Sequence, residues 1–96
     1  MPVLRIHHGV PNMEAWKRAF DADPLHRKAS GVIRYDVYRT AAEPPLVAID
    51  LEFGTLAEAE AMLVRLRALW QGPAAGIMRG PEAWIVEPVE SRELQA

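Results

Sequence analysis

The chain has 96 residues, half of which are hydrophobic, and it carries a formal net charge of −2. This length fits a single domain spanning residues 1–96, the hydrophobic content argues against disorder, and the charge offers no basic surface for nucleic acid or for an anionic membrane. The absence of cysteine excludes disulfides and thiolate chemistry and predicts a reducing, cytoplasmic location, and no apolar run approaches the ~20 residues of a membrane span.

The chain opens on a strand pattern that leads into a helix. Residues 3–8, VLRIHH, alternate with a period of two. The residues that share the apolar face of this strand are Leu4, Ile6 and His8. Asn12 is a favourable helix N-cap, and the residues that follow it along one helical stripe are Met13, Trp16 and Phe20. The pattern predicts a helix that ends near Asp21.

A short second helix is predicted before the next strand. Asp23 and Pro24 have the order of a cap followed by the first helical residue. Gly31 can take the left-handed conformation that ends a helix. The basic stretch between them, which includes Arg27, would then lie on the outer surface.

Two strand patterns joined by a proline-containing turn form the centre of the chain. Residues 32–39 and 46–53 each alternate with a period of two, and Pro44 and Pro45 mark the connection because they cannot donate to a central ladder. The predicted apolar face comprises Ile33, Tyr35, Val37, Val47, Ile49, Leu51 and Phe53. The two runs are therefore predicted to form an antiparallel hairpin whose apolar face is covered by helices.

A long helix, a loop and a final strand complete the pattern. Thr55 and Glu58 have the spacing of a capping box. The apolar stripe of the helix predicted over residues 56–70 comprises Leu56, Ala59, Met62, Leu63, Leu66, Leu69 and Trp70. Residues 72–81 hold three glycines and two prolines, and they are predicted to form a loop that is either a lid or an ordinary connection. Residues 82–88 are predicted as the last strand.

The order strand, helix, strand, strand, helix, strand defines the expected fold. With right-handed crossovers, the first and third strands lie in the centre of the sheet and both helices cover one face. The sequence therefore predicts an α+β, ferredoxin-like βαββαβ sandwich with an antiparallel four-stranded sheet.

The chain resembles the dimeric α/β-barrel superfamily, and within it the small proteins related to antibiotic-biosynthesis monooxygenases. The resemblance rests on HHGVPNMEAWKRAF, with Val10, Trp16 and Phe20 at matching places, and on the runs SGVIRYDVYR, LVAIDLEF and TLAEAEAMLVRLRALW. It covers the chain from Leu4 to Val86. The superfamily includes cofactor-free oxygenases of polyketide-type phenols, polyketide cyclases, lactone isomerases and haem-degrading enzymes, so the resemblance implies a fold more specifically than a reaction.

The resemblance also implies a homodimer in which the uncovered sheet faces of two copies meet. The apolar residues expected on that face are Val3, Tyr38, Ala48 and Ile85. A polar site at the dimer seam would comprise Arg34, Asp50 and His7, and the alternative is a structural ion-pair network. In a monomer the same charges would be solvated.

His8 is the first candidate catalytic residue, because a polar ring on an apolar strand face needs a partner or a function. It would act as acid, base or hydrogen-bond donor in a pocket between sheet and helices, and the alternative is a core histidine bonded to the backbone or to Tyr35. Tyr35 is the second candidate catalytic residue; otherwise its hydroxyl reaches water at the sheet edge. The residues predicted to line the pocket are Trp16, Phe20, Met62, Leu66 and Trp70, a set that suits a planar apolar ligand and equally a core.

No metal and no cofactor are predicted. His7 and His8 are adjacent on a strand and point to opposite faces, so they cannot readily chelate one ion together with His26. Resemblance to the haem-degrading branch implies a histidine after the helix tryptophan, and none follows Trp70.

The patterns leave three functional hypotheses. The first is a homodimeric, cofactor-free monooxygenase or cyclase that acts on an aromatic or polyketide-like small molecule, and the second is a non-catalytic ligand-binding or interaction module of the same fold. The third, an RNA-recognition-type sheet, shares the element order, but the charge balance and an expected lack of exposed stacking aromatics argue against it. A cavity of about 300 Å³ or more beside His8 would favour the first hypothesis over the second.

Overall fold

The computed structural model describes residues 1–72, 76 and 78–94, and these form an antiparallel sheet with two helices. In chain order the elements are β1 (Val3–Gly9), α1 (Met13–Asp21), β2 (Val32–Arg39), β3 (Leu46–Phe53), α2 (Leu56–Gln71) and β4 (Arg79–Val86). The strand order is β2-β3-β1-β4, which places β3 and β1 in the centre. The predicted ferredoxin-like βαββαβ fold is confirmed.

The core lies between the two central strands and the helices. The core residues contributed by the strands are Leu4, Ile6, Val47, Ile49, Leu51 and Phe53, and those contributed by the helices are Trp16, Ala59 and Met62. The strand residues alternate along β1 and β3, so the period of two read from the sequence corresponds to the buried face. No helix in the described part of the chain is long and apolar enough to cross a bilayer.

Both helices begin at the predicted caps. The Oδ1 atom of Asn12 accepts a hydrogen bond from the amide of Ala15 at 2.9 Å. The hydroxyl of Thr55 accepts from the amide of Glu58 at 3.2 Å and donates to the Glu58 carboxylate at 2.9 Å. The two side chains therefore bond to each other rather than forming a fully reciprocal capping box. Leu56, which the pattern assigns to the apolar stripe, is 46% exposed, since it lies in the first turn at the end of the helix.

The prediction of a short helix after Asp23 is wrong, because residues 22–31 form turns. Asp23 and His26 have φ angles of 55° and 49°, and this left-handed backbone interrupts a right-handed helix. The Asp23 carboxylate accepts from the amide of Arg27 at 2.9 Å, and the Ser30 hydroxyl donates to the carbonyl of Leu25 at 2.7 Å. These side chain–backbone bonds accompany isolated backbone bonds, such as that from the Ser30 amide to the His26 carbonyl at 2.9 Å, so the segment forms separate turns and not a continuous helical ladder. Gly31 has a φ of 101°, as its predicted role in ending the segment requires.

The final strand begins earlier than predicted, and one of its residues lies on the other face of the sheet from the one predicted. β4 runs from Arg79 to Val86, so residues 79–81 belong to the sheet and not to a loop, and residues 87–88, predicted as part of the strand, lie beyond its end. Ile85 pairs with Leu4, which places Ile85 on the helix side and corrects its predicted position on the uncovered face. Residues 73–75 and 77 lie outside the described residues, so the lid stays a prediction.

The uncovered side of the sheet, called the open face below, is a mixed polar and aromatic surface. Its residues are Val3, Arg5, His7, Arg34, Asp36, Tyr38, Ala48, Asp50, Glu52, Glu82, Trp84 and Val86. Trp84 and Val86 occupy the places opposite Arg5 and Val3. Tyr38 and Trp84 are 53% and 46% exposed, so the expectation that this face lacks exposed aromatic side chains is wrong.

Candidate functional site

A cavity of about 110 Å³ lies on the helix side of the sheet, where α1, α2 and the 22–31 segment meet. The sheet contributes Ile6, His8, Ile49 and Leu51 to its lining. The exposed Pro24 is also part of the lining, so the cavity reaches the surface at the 22–31 segment. Its walls are mostly aliphatic, aromatic and thioether groups, as expected for a site that binds an apolar ligand.

His8 is the buried polar group of this cavity. Only 1% of the residue is exposed. Its Nδ1 atom lies 3.1 Å from the carbonyl oxygen of Gly9, and since a carbonyl only accepts, this contact assigns the proton to Nδ1. The Nε2 atom, which carries the lone pair in this tautomer, has no hydrogen-bond partner in the described part of the chain. Of the two alternatives for a core histidine, the structure shows the backbone bond and not a bond to Tyr35.

Burial keeps the His8 ring neutral. Loss of solvent lowers its pKa, and the bond to the Gly9 carbonyl opposes that change only in part. A neutral imidazole with Nδ1 protonated presents an acceptor, and therefore a base, at Nε2. Of the three predicted roles, this arrangement is compatible with that of base. It makes Nε2 a hydrogen-bond acceptor and not the predicted donor, and the ring would need to be protonated before it could act as an acid.

An aromatic row extends from His8 along α1. The ring centroids of His8 and Trp16 are 5.4 Å apart, and those of Trp16 and Phe20 are 5.1 Å apart with an interplanar angle of 27°. Trp16 and Phe20 are four residues apart and so lie on the same side of the helix. They form a wall against which a planar ligand could stack.

Four of the five residues predicted to line the pocket do so, namely Trp16, Phe20, Met62 and Leu66. Trp70 does not. It lies near the end of α2 in a separate surface groove with Trp84 and Glu82 of β4. Leu69 lines the cavity instead, because it is seven residues from Met62 and lies on the same side of the helix, whereas Trp70 is eight residues from Met62 and is rotated about 80° away from it.

The structure does not bring Tyr35 into the cavity lining. Tyr35 lies on β2, the edge strand, and is 46% exposed. The long helix α2 packs over β1, β3 and β4, so the edge strand extends beyond its cover. The Tyr35 ring meets Phe20 edge-on at 5.3 Å and lies 4.9 Å from the guanidinium carbon of Arg27.

Sequence reasoning missed the contribution of the 22–31 segment. Asp23, Leu25 and Arg27 all line the cavity. The predicted helix directed Arg27 outward, whereas the observed turns direct it over the ring of Phe20, at 3.9 Å from the ring centroid. A signal was present in the sequence, since Asp-Pro and Ser-Gly pairs bracket the segment and are typical of turns.

The open face does not bring Arg34, Asp50 and His7 together as one site. Asp50 binds Arg5 through two contacts of 2.9 and 3.1 Å, and Arg34 lies 3.2 Å from Asp36. The His7 ring meets Trp84 edge-on at 5.3 Å. The predicted alternative, a set of ion pairs within one chain, describes these contacts. Among the described residues, no group of three or more His, Cys, Asp or Glu side chains is arranged to hold a metal ion.

No protein-family model and no curated protein matches this sequence. Solved structures do match its fold. A Nitrosomonas europaea protein provisionally assigned as an antibiotic biosynthesis monooxygenase has a TM-score of 0.70 at 19% identity, over 92% of this chain and 89% of that chain. A dimeric ferredoxin-like protein from an uncultured marine organism has a TM-score of 0.62 at 9% identity, over 95% and 98%.

A third match is a point mutant of MhuD with two manganese protoporphyrin IX molecules bound per active site, with a TM-score of 0.65 at 13% identity over 97% of this chain and 99% of that chain. At these identities the likeness defines a class of protein by fold. The chain is a ferredoxin-like α+β protein with the same architecture as antibiotic-biosynthesis-monooxygenase-like proteins, which confirms the predicted resemblance at the level of fold.

Proposed function

We propose that the protein binds a small, planar aromatic molecule in the cavity beside His8 and transforms it without a cofactor, as a monooxygenase or a cyclase. The observation that carries this proposal is the Nε2 atom of His8, which is buried in an apolar cavity and has no partner among the described residues. An unsatisfied buried polar atom costs about 1–3 kcal/mol. A ligand hydroxyl or an acidic C–H group would supply the missing donor.

The chemistry follows from the neutral tautomer of His8. Nε2 would take a proton from the ligand, and the apolar walls would leave the resulting carbanion or phenolate without water around it. In a cofactor-free oxygenation the ligand anion reduces molecular oxygen. In the keto tautomer of a phenol a ring CH₂ group becomes a carbonyl, so one oxygen atom enters the ligand and the other leaves as water with the two hydrogens. In a cyclisation the same base removes a proton beside a carbonyl, the carbanion attacks a second carbonyl of the ligand, and Nε2 of His8 returns the proton to the alkoxide that forms.

The other predicted residues would support this chemistry through packing. Trp16, Phe20, Met62 and Leu66 would contact the faces and edges of the ligand ring. For Tyr35, the second candidate catalytic residue, we propose a positioning role, because its ring touches Phe20 and Arg27 rather than the cavity.

The volume of the cavity narrows the ligand class. At about 110 Å³ it is below the ~300 Å³ at which ligand pockets usually begin and below the ~150 Å³ of an engineered cavity that admits benzene, so a single ring would fill it and a substituent as large as a carboxylate would extend toward the opening at Pro24. A ligand of one aromatic ring fits this space better than a polycyclic polyketide or a tetrapyrrole such as the one bound by MhuD. The proposal is accordingly restricted to single-ring phenols and related carbonyl compounds.

The small volume also favours the second candidate function. By the criterion derived from the sequence, a cavity below about 300 Å³ points toward a non-catalytic ligand-binding module. The two functions share the same site and differ in whether the bound molecule reacts.

We further propose that the protein is a homodimer through the open face. This is supported by the dimeric ferredoxin-like proteins that share the fold and by the exposure of Tyr38 and Trp84 beside apolar Val3 and Val86. A small domain gains burial by association, and the intrachain ion pairs already balance part of the charge on this face. Sedimentation of a single chain at micromolar concentration would contradict the dimer.

The experiment for the cavity compares two neighbouring histidines. Binding of single-ring phenols is measured by ligand-observed NMR, and oxygen uptake and product formation are followed for wild type, His8→Leu and His7→Gln. We expect His8→Leu to weaken binding about tenfold, which corresponds to the loss of one buried hydrogen bond, and His7→Gln to leave it unchanged. Binding without turnover would establish the non-catalytic module, and equal behaviour of all three proteins would remove His8 from the site.

A further inference from the structure

Arg27 is the cationic side chain among the described residues that line the cavity, and Asp23 is the acidic one. Both come from the 22–31 segment, where the cavity reaches the surface at Pro24. His8 lies at the other end of the aromatic row, and the rings of Trp16 and Phe20 separate it from Arg27. The cavity therefore has a deep acceptor and a cation nearer its mouth, with an aromatic wall between them.

The guanidinium of Arg27 is held in place before any ligand arrives. Its Nη1 atom donates to the carbonyl of Phe20 at 2.8 Å. Its carbon lies 3.9 Å from the Phe20 ring centroid and 4.9 Å from that of Tyr35. The side chain is only 17% exposed. A planar fork fixed in this way loses little rotational freedom when it binds an anion.

Asp23, the neighbouring acidic residue, occupies few of the hydrogen-bond donors of Arg27. The nearest carboxylate oxygen, Oδ1 of Asp23, is 3.4 Å from Nε, and the same atom accepts the backbone amide of Arg27 at 2.9 Å. A guanidinium has five N–H donors. Within the described part of the chain, the bond to the Phe20 carbonyl is the one hydrogen bond that this guanidinium makes. Donors therefore stay available for an acceptor in the cavity.

We propose that Arg27 is the specificity-determining residue of the cavity and that its ligand is a single-ring aromatic carboxylate with a hydroxyl group at the far end. The hydroxyl would donate to Nε2 of His8, the ring would lie against Trp16 and Phe20, and the carboxylate would accept from the fork of Arg27. This inference rests on the ligand-binding function proposed above. It adds the charge and the orientation of the ligand.

The test uses two probes of equal shape, 4-hydroxybenzoate and 4-hydroxybenzamide, with affinities measured by calorimetry or NMR titration. We expect wild type to bind the carboxylate about tenfold more tightly than the amide, because a charge-assisted bond replaces a neutral one. Arg27→Gln should remove this preference by weakening the carboxylate about tenfold while changing amide binding less than about twofold. Arg27→Lys, which keeps the charge but not the fork, should fall between the two.

The control is Arg65→Gln. Arg65 donates to the hydroxyl of Ser30 at 3.0 Å, so it contacts the same segment, but it does not line the cavity. Thermal unfolding of each variant is measured alongside binding, so that a folding defect is recognised as such.

Three outcomes would overturn the inference. Equal affinity of wild type for the two probes would show that the site does not distinguish a carboxylate from a neutral amide. The proposed aromatic site would remain intact. Equal weakening of both probes in Arg27→Gln would assign Arg27 a structural role. Absence of binding by either probe and by the neutral phenols would remove the proposed function together with this inference.

Discussion

The two neighbouring histidines of β1 show how the two sides of the sheet differ. His8 faces the helices, is 1% exposed, and has one nitrogen bonded to the backbone and the other without a partner among the described residues. His7 faces the opposite side, where it meets the ring of Trp84 among charged neighbours. The same residue type, one position apart, therefore lies in an apolar cavity in one case and on a polar surface in the other. The environment, more than the residue type, decides which of them presents an unpartnered nitrogen to a bound ligand.

The largest expected difference between the two sides is in stability. Phe53 on the helix side is fully buried, and we expect Phe53→Ala to lower the free energy of unfolding by about 3–5 kcal/mol. Tyr38→Ala on the open face should cost less than about 1 kcal/mol in the isolated chain, because that ring is half-exposed. Urea denaturation at low protein concentration measures both. Equal losses would mean that the open face is also a packed surface.

Association should depend on the open face and not on the cavity side. Trp84 is half-exposed on this face, and replacing it by a carboxylate would remove a large apolar ring from a dimer seam and put a charge there instead. We expect Trp84→Glu to raise the dissociation constant of the proposed dimer at least about tenfold. Val64→Glu on the exposed side of α2, where Val64 is 67% exposed, should leave it unchanged. Analytical ultracentrifugation over a concentration series makes the comparison, and an unaltered dimer in Trp84→Glu would place the seam elsewhere.

Acid should destabilise the protein through His8. Burial lowers the pKa of His8 in the folded state below its ordinary value of 6.5. As the pH falls through about 6.5, the unfolded chain takes up a proton that the folded ring does not. The contribution of His8 to the free energy of unfolding is therefore complete above that pH, and it is lost progressively as the pH falls toward the lower pKa of the folded state.

This pH effect is measured as a difference between proteins, because carboxylates also begin to titrate in acid. Urea unfolding at pH 7.5, 6.5 and 5.5 is compared for wild type, His8→Leu and His7→Gln. Wild type and His7→Gln should lose stability in parallel, and His8→Leu should lose less. A parallel loss in His8→Leu would show that His8 is not held neutral by burial.

The sequence is sufficient to predict the features that depend on local structure. Alternation along β1 and β3 predicts the buried face correctly because the side-chain period of a strand is a local property of the backbone. The helix starts at Asn12 and Thr55 are equally local, since one side-chain oxygen near the first free amides defines them. Local features of this kind are sufficient to predict the order and type of the elements, and therefore the fold.

The same patterns do not predict whether a strand lies at the edge or in the centre of the sheet. Tyr35 has the parity of a buried residue, yet it is half-exposed because β2 is the edge strand and α2 packs over the other three. Trp70 has helical spacing appropriate to the core and packs against its margin, yet it lines a groove with β4 and not the cavity. The position of Arg27 is not predicted because the left-handed backbone at Asp23 and His26 depends on side chain–backbone bonds that a helix pattern does not reveal. The sheet face on which a residue lies can be predicted from the sequence, whereas its burial depends on which strands the helices pack over.

The smallest expected effect concerns the ion pair between Arg5 and Asp50 at the centre of the open face. The bidentate contact raises the pKa of Arg5, first through the hydrogen bond to Asp50 and then through its charge. Arg5 is nevertheless 47% exposed at its side chain, so solvent screens the pair, and Asp50→Asn should cost the monomer less than about 1 kcal/mol. At protein concentrations where the open faces of two copies meet, the same substitution would leave Arg5 out of water without its partner. A cost that grows with protein concentration would therefore link this ion pair to the dimer, and a cost that stays constant would assign it to the single chain.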